Sequence, residues 1–300
     1  MGSFIKRVIL FIIVNLAIML LVSVVFNLTC NFFDLDMASD SVGVIAIWAL
    51  LYGMIGSFVS LLLSKPIAKW LVKAKTITGN EGEAERWLVG NGYVKVENAT
   101  VTVAQGNSLV AIYEGEANAF ATGAFKNRAL VAVSSEIMEK MTREELRAVL
   151  GHEISHVANG DMVTMSLLQG VLNACVLFLS RIIAYVTSEI LSDKESISRV
   201  VYFIIYYAAQ ILLSILASII VMWYSRRREF AADLGSAKLL GSPASMIAAL
   251  RRLNNLQPGV LPNSLKAFGI SGKRASLFSS HPSIEDRIAA LECMQIGKNS

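Results

Sequence analysis

Residues 142–156 read Thr142-Arg-Glu-Glu-Leu-Arg-Ala-Val-Leu-Gly-His152-Glu-Ile-Ser-His156, which combines a helix start with two histidines four residues apart. Thr142 and Glu145 form a capping box, in which the threonine oxygen accepts a bond from a first-turn amide and the glutamate reaches back. His152 and His156 share one face of the helix that follows, so both imidazoles can reach one ion. Glu153 can lean over the open coordination position. This H-E-x-x-H pattern predicts a hydrolytic zinc site, and it uses two of the three histidines in the chain.

The overall composition is that of an integral membrane protein. The chain has 300 residues, of which 54% are hydrophobic and 17% charged, and its mean hydropathy is +0.55. The apolar residues collect into four runs, each long enough to cross a hydrocarbon core of roughly 30 Å. This excludes a soluble, disordered, collagen-like or disulfide-stapled chain. The net charge of +4 does not indicate a nucleic-acid partner, because the basic residues flank the apolar runs, where the lipid bilayer accounts for them.

Four predicted spans organise the chain, at 8–26, 42–63, 162–186 and 200–224. The loop after the first span contains no lysine or arginine, whereas basic residues follow the second and fourth spans: Lys65, Lys69, Lys73, Lys75, Arg226, Arg227 and Arg228. By the positive-inside rule, both termini and the H-E-x-x-H helix face the cytoplasm. The predicted domains are therefore two membrane helices in 1–64, a cytoplasmic part in 65–161, a membrane hairpin in 162–224 and a second cytoplasmic part in 225–300.

The first cytoplasmic part mixes helices and strands. A helical charge pattern covers 81–89, β-rich segments cover 100–103, 108–113, 118–122 and 129–134, and helices follow over 136–141 and from Thr142 onward. The segment 118–123 is interpreted as a short exposed strand. We therefore predict an α+β fold that is mainly helical, in which the two cytoplasmic parts fold together to bury a core.

A third metal ligand is needed, because a catalytic zinc usually takes three protein ligands. Glu229 and Asp233 follow the fourth span as E-x-x-x-D and so share one helical face. His156 lies six residues before the third span and Glu229 five after the fourth, so both stand roughly 7 to 9 Å from the same bilayer surface. In an antiparallel hairpin His152, His156 and Glu229 converge, and Asp233 is placed to accept the second ring N–H of a ligand histidine. The alternative is a solvated helix face beside the arginine cluster.

Four motifs carry a family resemblance. They are His152-Glu-Ile-Ser-His156 followed by a membrane hairpin, Glu229-Phe-Ala-Ala-Asp233, Asn118-Ala-Phe-Ala-Thr-Gly123 and His281-Pro-Ser-Ile-Glu-Asp-Arg287. Together they resemble the HtpX family of membrane zinc metalloproteases, the bacterial heat-shock relatives of the CAAX prenyl proteases. The resemblance spans essentially the full chain, including the four hydrophobic runs.

The resemblance implies four transmembrane helices with a cytoplasmic gluzincin-like zinc metalloprotease domain and one Zn²⁺ per chain. His152, His156 and Glu229 would be the ligands, and Glu153 the general base. His281 would act beside the zinc to stabilise the oxyanion, with Arg287 packing nearby; the alternative is a loop histidine and a surface arginine. The edge strand that pairs with substrate backbone would comprise Asn118, Ala119, Phe120, Ala121 and Thr122. Its alternative is an ordinary edge strand.

The implied function is a zinc endopeptidase of the bacterial inner membrane, in stress response and protein quality control. Its substrates would be misfolded or damaged membrane proteins, cut at cytoplasmic segments, and unfolded polypeptides, with self-cleavage a further expectation. An intramembrane protease is disfavoured because charged residues precede H-E-x-x-H in its helix. A prenyl-protein protease shares the ligand pattern, but that family has more spans and a large chamber. A non-catalytic zinc clamp would prefer closed, cysteine-rich ligands, and Cys30, Cys175 and Cys293 form no C-x-x-C pair.

Overall fold

The computed structural model describes residues 42–73, 75–76, 94–97, 100–103, 109–114, 118–191, 199–256 and 281–296. The predicted span at 8–26 and the predicted helix at 81–89 lie outside these residues. The chain divides into two compact units. One consists of Met1–Val59 and Ser166–Val221, and the other of Ser60–Met165 and Met222–Ser300.

Among the described residues, three long helices are apolar enough to cross a membrane: α1 (Val42–Leu71), α4 (Asp161–Leu191) and α5 (Arg199–Leu239). They correspond to the second, third and fourth predicted spans. Within the first unit, α1 and α4 approach closely, since a Cβ on Gly53 would lie 2.5 Å from the Ala174 backbone nitrogen. Small residues at such a crossing let helix backbones meet, which is a frequent mode of helix association in membranes.

The second unit contains a sheet of four strands in the order β1-β4-β6-β5. These strands are β1 (Lys75–Thr76), β4 (Leu109–Tyr113), β5 (Ala119–Thr122) and β6 (Leu130–Ser134); β4 and β6 are parallel, and the other pairs are antiparallel. A separate hairpin joins β2 (Val94–Glu97) to β3 (Thr100–Val103). The predicted strands at 100–103, 108–113, 118–122 and 129–134 are confirmed to within a residue, whereas β1 and β2 were not predicted.

Four shorter helices complete the described part of this unit: α2 (Ser135–Lys140), α3 (Arg143–Asn159), α6 (Ala244–Asn255) and α7 (Ile284–Ile296). The predicted capping box of α3 is present. Thr142 Oγ1 accepts from the Glu145 amide at 3.3 Å, and the glutamate carboxylate accepts from the Thr142 amide at 2.8 Å. Gly160, at φ 74°, ends α3 in the left-handed region and allows α4 to begin at the next residue.

The strand β5 corrects one prediction. It lies at an edge of the described sheet, as expected, but it is not exposed: Asn118 to Thr122 are all at most 3% accessible. Ala119 and Ala121 pack into the main core with α3, and Phe120 packs on the opposite face with Tyr113. β5 is thus the last strand of the described sheet, yet its side chains are buried on both faces of the sheet. Its short sequence of mostly small residues did not indicate this burial.

Candidate metal centre

Helices α3 and α5 carry the candidate metal ligands, and small residues bring the two helices together. A Cβ on Gly151 would lie 2.9 Å from Ser236 Oγ, and one on Gly235 would lie 2.7 Å from Ser155 Cβ. Ser236 Oγ also donates a hydrogen bond across the crossing to the Ala148 carbonyl at 2.7 Å. The ligand-bearing faces of the two helices are therefore held within direct contact of each other.

His152, His156 and Glu229 converge at this crossing. The two histidine Nε2 atoms lie 3.1 Å apart, Glu229 Oε1 lies 3.3 Å from His156 Nε2, and Glu229 Oε2 lies 3.5 Å from His152 Nε2. Ligand atoms about 2.0–2.1 Å from a tetrahedral zinc stand roughly 3.3 Å apart, so the three separations fit such an ion. All three residues are buried. The chemistry of the donor set, two imidazole nitrogens and one carboxylate, also fits zinc.

A carboxylate lies against the Nδ1 atom of each histidine. His152 Nδ1 lies 2.8 Å from Asp233 Oδ1, and His156 Nδ1 lies 2.5 Å from Asp161 Oδ2. With Nδ1–H donating to a carboxylate, each Nε2 lone pair is directed at the site. The sequence analysis placed Asp233 behind a histidine but missed Asp161. The signal available in the sequence was an aspartate immediately after a helix-ending glycine, five residues beyond His156.

Arg287 and His281 also reach the site. Arg287 is fully buried, so the alternative that it is a surface charge is wrong. Its Nε and Nη2 donate to the two carboxylate oxygens of Asp233 at 2.7 and 2.6 Å, and its Nη1 lies 3.6 Å from Glu229. His281 Nδ1 lies 2.8 Å from Glu229 Oε2. Glu229 and Asp233 are at most 1% accessible, which rules out the solvated helix face considered above.

Burial and neighbouring charges shift the titration of the site. Burial alone lowers the pKa of His152 and of His156. The carboxylate partner of each histidine, together with Glu229, outweighs burial, so both pKa values are raised, that of His156 to about 9. The partner is Asp233 for His152 and Asp161 for His156. Burial raises the pKa of Glu153 above its ordinary value, although both histidines oppose the shift. Glu153 is 1% accessible, and its Oε1 has no hydrogen-bond partner in the described structure. A buried carboxylate with an open oxygen beside a candidate metal site can accept a proton there.

Tyr113 is a further site residue that the sequence analysis did not single out. Burial, and then the nearby charge of Glu153, raise the pKa of Tyr113, so its hydroxyl stays protonated. That hydroxyl donates to the Asn118 carbonyl at 3.2 Å. Ser134 fixes the same residue from β6, since its Oγ accepts from the Asn118 amide at 2.9 Å and its amide donates to the Asn118 carbonyl at 2.9 Å. The start of β5 is thereby fixed by hydrogen bonds from β4 and β6.

Comparisons with known proteins identify the family of the chain. The model of the family described as Peptidase family M48 matches residues 85–295. A protein named Protease HtpX homolog from Janthinobacterium sp. (strain Marseille) is 46% identical over 293 residues, covering 97% of this chain and 100% of the relative. The protein of the same name from Bordetella avium (strain 197N) is 47% identical over 299 residues, covering 97% and 99%.

A solved structure shares the fold. The crystal structure of S. mikatae Ste24p matches with a TM-score of 0.56 at 17% identity, covering 97% of this chain and 65% of that chain. The family model covers well over half of the chain, and the relatives match it over nearly their full length. The chain therefore belongs to peptidase family M48.

Proposed function

We propose that this membrane metalloprotease is a zinc-dependent endopeptidase that cleaves misfolded or damaged membrane proteins at their cytoplasmic segments. The observation that carries the proposal is the convergence of His152, His156 and Glu229 beside the buried carboxylate of Glu153. A set of two imidazoles and one carboxylate, with a base next to it, is characteristic of catalytic rather than structural zinc. Unfolded polypeptides are the expected test substrates, and self-cleavage is expected during purification.

His152, His156 and Glu229 would hold one zinc ion. When bound, zinc supplies Lewis acidity toward the scissile carbonyl and lowers the pKa of water at the site. Asp233 and Asp161 keep the two imidazoles in the tautomer whose Nε2 is free to bind metal. This donor set provides no thiolate, which argues against a closed structural clamp.

Glu153 is the residue that would move the proton. Its carboxylate would take a proton from the attacking water and hand it to the leaving amine, and its raised pKa brings it closer to the pH of the cytoplasm. His281, which lies against Glu229, would donate to the oxygen that gains charge as the peptide bond is attacked. Arg287 would act through Asp233, because its two donors fix that carboxylate against His152.

The helices that carry the site support a preference for membrane-protein substrates. Glu229 lies five residues beyond the predicted fourth span in the same continuous helix α5, and α4 begins two residues after α3 ends. A substrate segment leaving the bilayer would therefore meet the site near the surface. The edge strand β5 would bind its backbone by strand addition, which demands little of its sequence. The charge pattern and the bacterial relatives support an inner-membrane location with the site in the cytoplasm.

The decisive experiment compares two glutamates on α3. Glu153→Gln, purified in detergent with zinc, should keep its zinc but lose roughly 10²- to 10⁴-fold in the rate of cleaving an unfolded protein. Glu144→Gln is the matched control, since Glu144 is exposed and contacts only Arg147 among the contacts described. Cleavage by Glu153→Gln at the parental rate would refute the proposed mechanism. An enzyme that cuts a prenylated carboxyl-terminal peptide and leaves unfolded protein intact would instead be a prenyl-protein protease.

A further inference from the structure

The turn between β5 and β6 exposes an aromatic side chain on the surface. Phe125 is 60% accessible, and Lys126, Asn127 and Arg128 after it are exposed as well. The three residues Lys126–Arg128 form a 3-10 turn in which the Arg128 amide donates to the Phe125 carbonyl at 3.0 Å. We refer to residues 124–128 as the aromatic turn. A single exposed aromatic side chain is ordinary on a protein surface, so the position and the charge of this turn decide its role.

Two lysine contacts hold the aromatic turn in place. Lys65 of α1 donates to the Arg128 carbonyl at 2.7 Å, and Lys126 of the turn donates to the Ala158 carbonyl at 2.6 Å. The second contact satisfies a carbonyl at the carboxyl end of α3, where a cation is favoured. The Lys126 stem also lies against Gly160, whose added Cβ would be 3.1 Å from Lys126 Cε.

Both contact points lie where helices are predicted to enter the membrane. Lys65 follows the predicted second span, which ends at residue 63, by two residues. Ala158 precedes the predicted third span, which begins at residue 162, by four residues. At 1.5 Å per residue along the continuous helix α1, Lys65 lies roughly 3 Å beyond the predicted end of the second span, and Ala158 is four residues from the predicted start of the third. The aromatic turn is therefore held at the level of the lipid headgroups.

The charges around the turn match an anionic surface. Segments 64–73 and 123–129 contain five basic residues and no acidic one. Trp70, on the same helix as Lys65, is 77% accessible, and indole rings favour the membrane interface. Basic residues near the surface attract anionic headgroups while an aromatic ring partitions below them.

We propose that the aromatic turn is a second membrane contact, in which Phe125 inserts into the cytoplasmic leaflet while Lys126 and Arg128 lie among anionic headgroups. The turn follows β5 directly, so the contact would hold the carboxyl end of that strand at the lipid surface. This contact does not depend on catalysis. It can therefore be tested independently of the proposed protease mechanism.

The test places a fluorescent probe at Phe125→Cys in the full chain, with the three natural cysteines replaced by alanine. The protein is reconstituted in vesicles containing phosphatidylglycerol, with nitroxide either on the upper acyl chain or in the headgroup. The matched control is Leu239→Cys, because Leu239 is 58% accessible and lies fifteen residues beyond the predicted fourth span. We expect acyl-chain nitroxide to quench the probe at 125 at least threefold more than at 239, and aqueous iodide to quench it less.

Equal lipid and iodide quenching at the two positions would overturn the proposal. Asn127→Cys provides an independent position on the same turn should Phe125→Cys fail to fold, and its probe should respond most strongly to the headgroup nitroxide. Replacing phosphatidylglycerol by phosphatidylcholine should reduce quenching at both turn positions. Quenching that is unchanged by lipid charge would overturn the role of Lys126 and Arg128.

Discussion

Removing the buried guanidinium of Arg287 should destabilise the protein far more than removing an exposed one. Arg287 is fully buried and gives two short hydrogen bonds, of 2.6 and 2.7 Å, to Asp233. Arg287→Met keeps most of the side-chain volume but leaves the Asp233 carboxylate buried without its countercharge. Breaking a buried pair in this way costs about 3–5 kcal/mol. At about 2–4 °C per kcal/mol for a unit of 150–250 residues, Tm should fall by roughly 6 to 20 °C.

Thermal unfolding in detergent, followed by tryptophan fluorescence, measures this effect. The control is Arg251→Met, which removes the Arg251–Glu292 pair between α6 and α7. That pair is 3.1 Å long, but its side chains are 64% and 49% accessible, so it should contribute about 0–1 kcal/mol. The double variant Arg287→Met with Asp233→Leu should recover part of the loss, because the Asp233 carboxylate is then no longer buried without its countercharge.

Two results would refute this reasoning. The first is a Tm shift for Arg287→Met no larger than that for Arg251→Met. The second is a double variant less stable than Arg287→Met alone, which would mean that packing rather than charge pairing dominates at Arg287.

Three further predictions concern the metal site. Asp161→Asn removes the anionic partner of His156 and should weaken zinc binding about 10- to 100-fold in a chelator competition, whereas unchanged affinity would show that Asp161 has no orienting role. Because the pKa of His156 is about 9 without metal, zinc must displace a proton at neutral pH. Zinc affinity should therefore rise between pH 6 and pH 8, by up to about tenfold per pH unit for one proton, and a flat profile would contradict the assignment. Gly235→Ala would force its Cβ against Ser155 and separate α3 from α5, so the zinc content of the purified protein should fall by more than half. The control is Gly56→Ala, whose Cβ meets nothing within 4 Å and which should bind zinc like the parent.

Much of the site could be predicted from the sequence because its signals are local. The spacing of His152 and His156 places both on one helical face wherever that helix lies, and the Thr142 capping box marks where the helix begins. The grouping of Glu229 with these histidines could also be predicted, since His156 and Glu229 each lie a few positions from an apolar run. The corresponding geometry is present in the structure, with the three ligand atoms within 4.8 Å of one another.

Other features could not be predicted, because they depend on backbone conformation and strand placement that residue types alone do not specify. Asp161 reaches His156 only because Gly160 adopts a left-handed conformation that turns α3 into α4. The Tyr113 hydroxyl donates to the Asn118 carbonyl, and the sheet sets the position of both residues.

The sequence by itself determined the membrane character, the H-E-x-x-H helix and the choice of ligand residues, because hydropathy and helical periodicity are properties of neighbouring residues. Only the tertiary structure decided that β5 is an edge strand buried on both faces and that Arg287 is a wholly buried partner of Asp233. Those outcomes require two layers packed on one sheet and a residue pair 54 positions apart. Burial and charge pairing arise from the whole fold, and no local pattern of residue types encodes them.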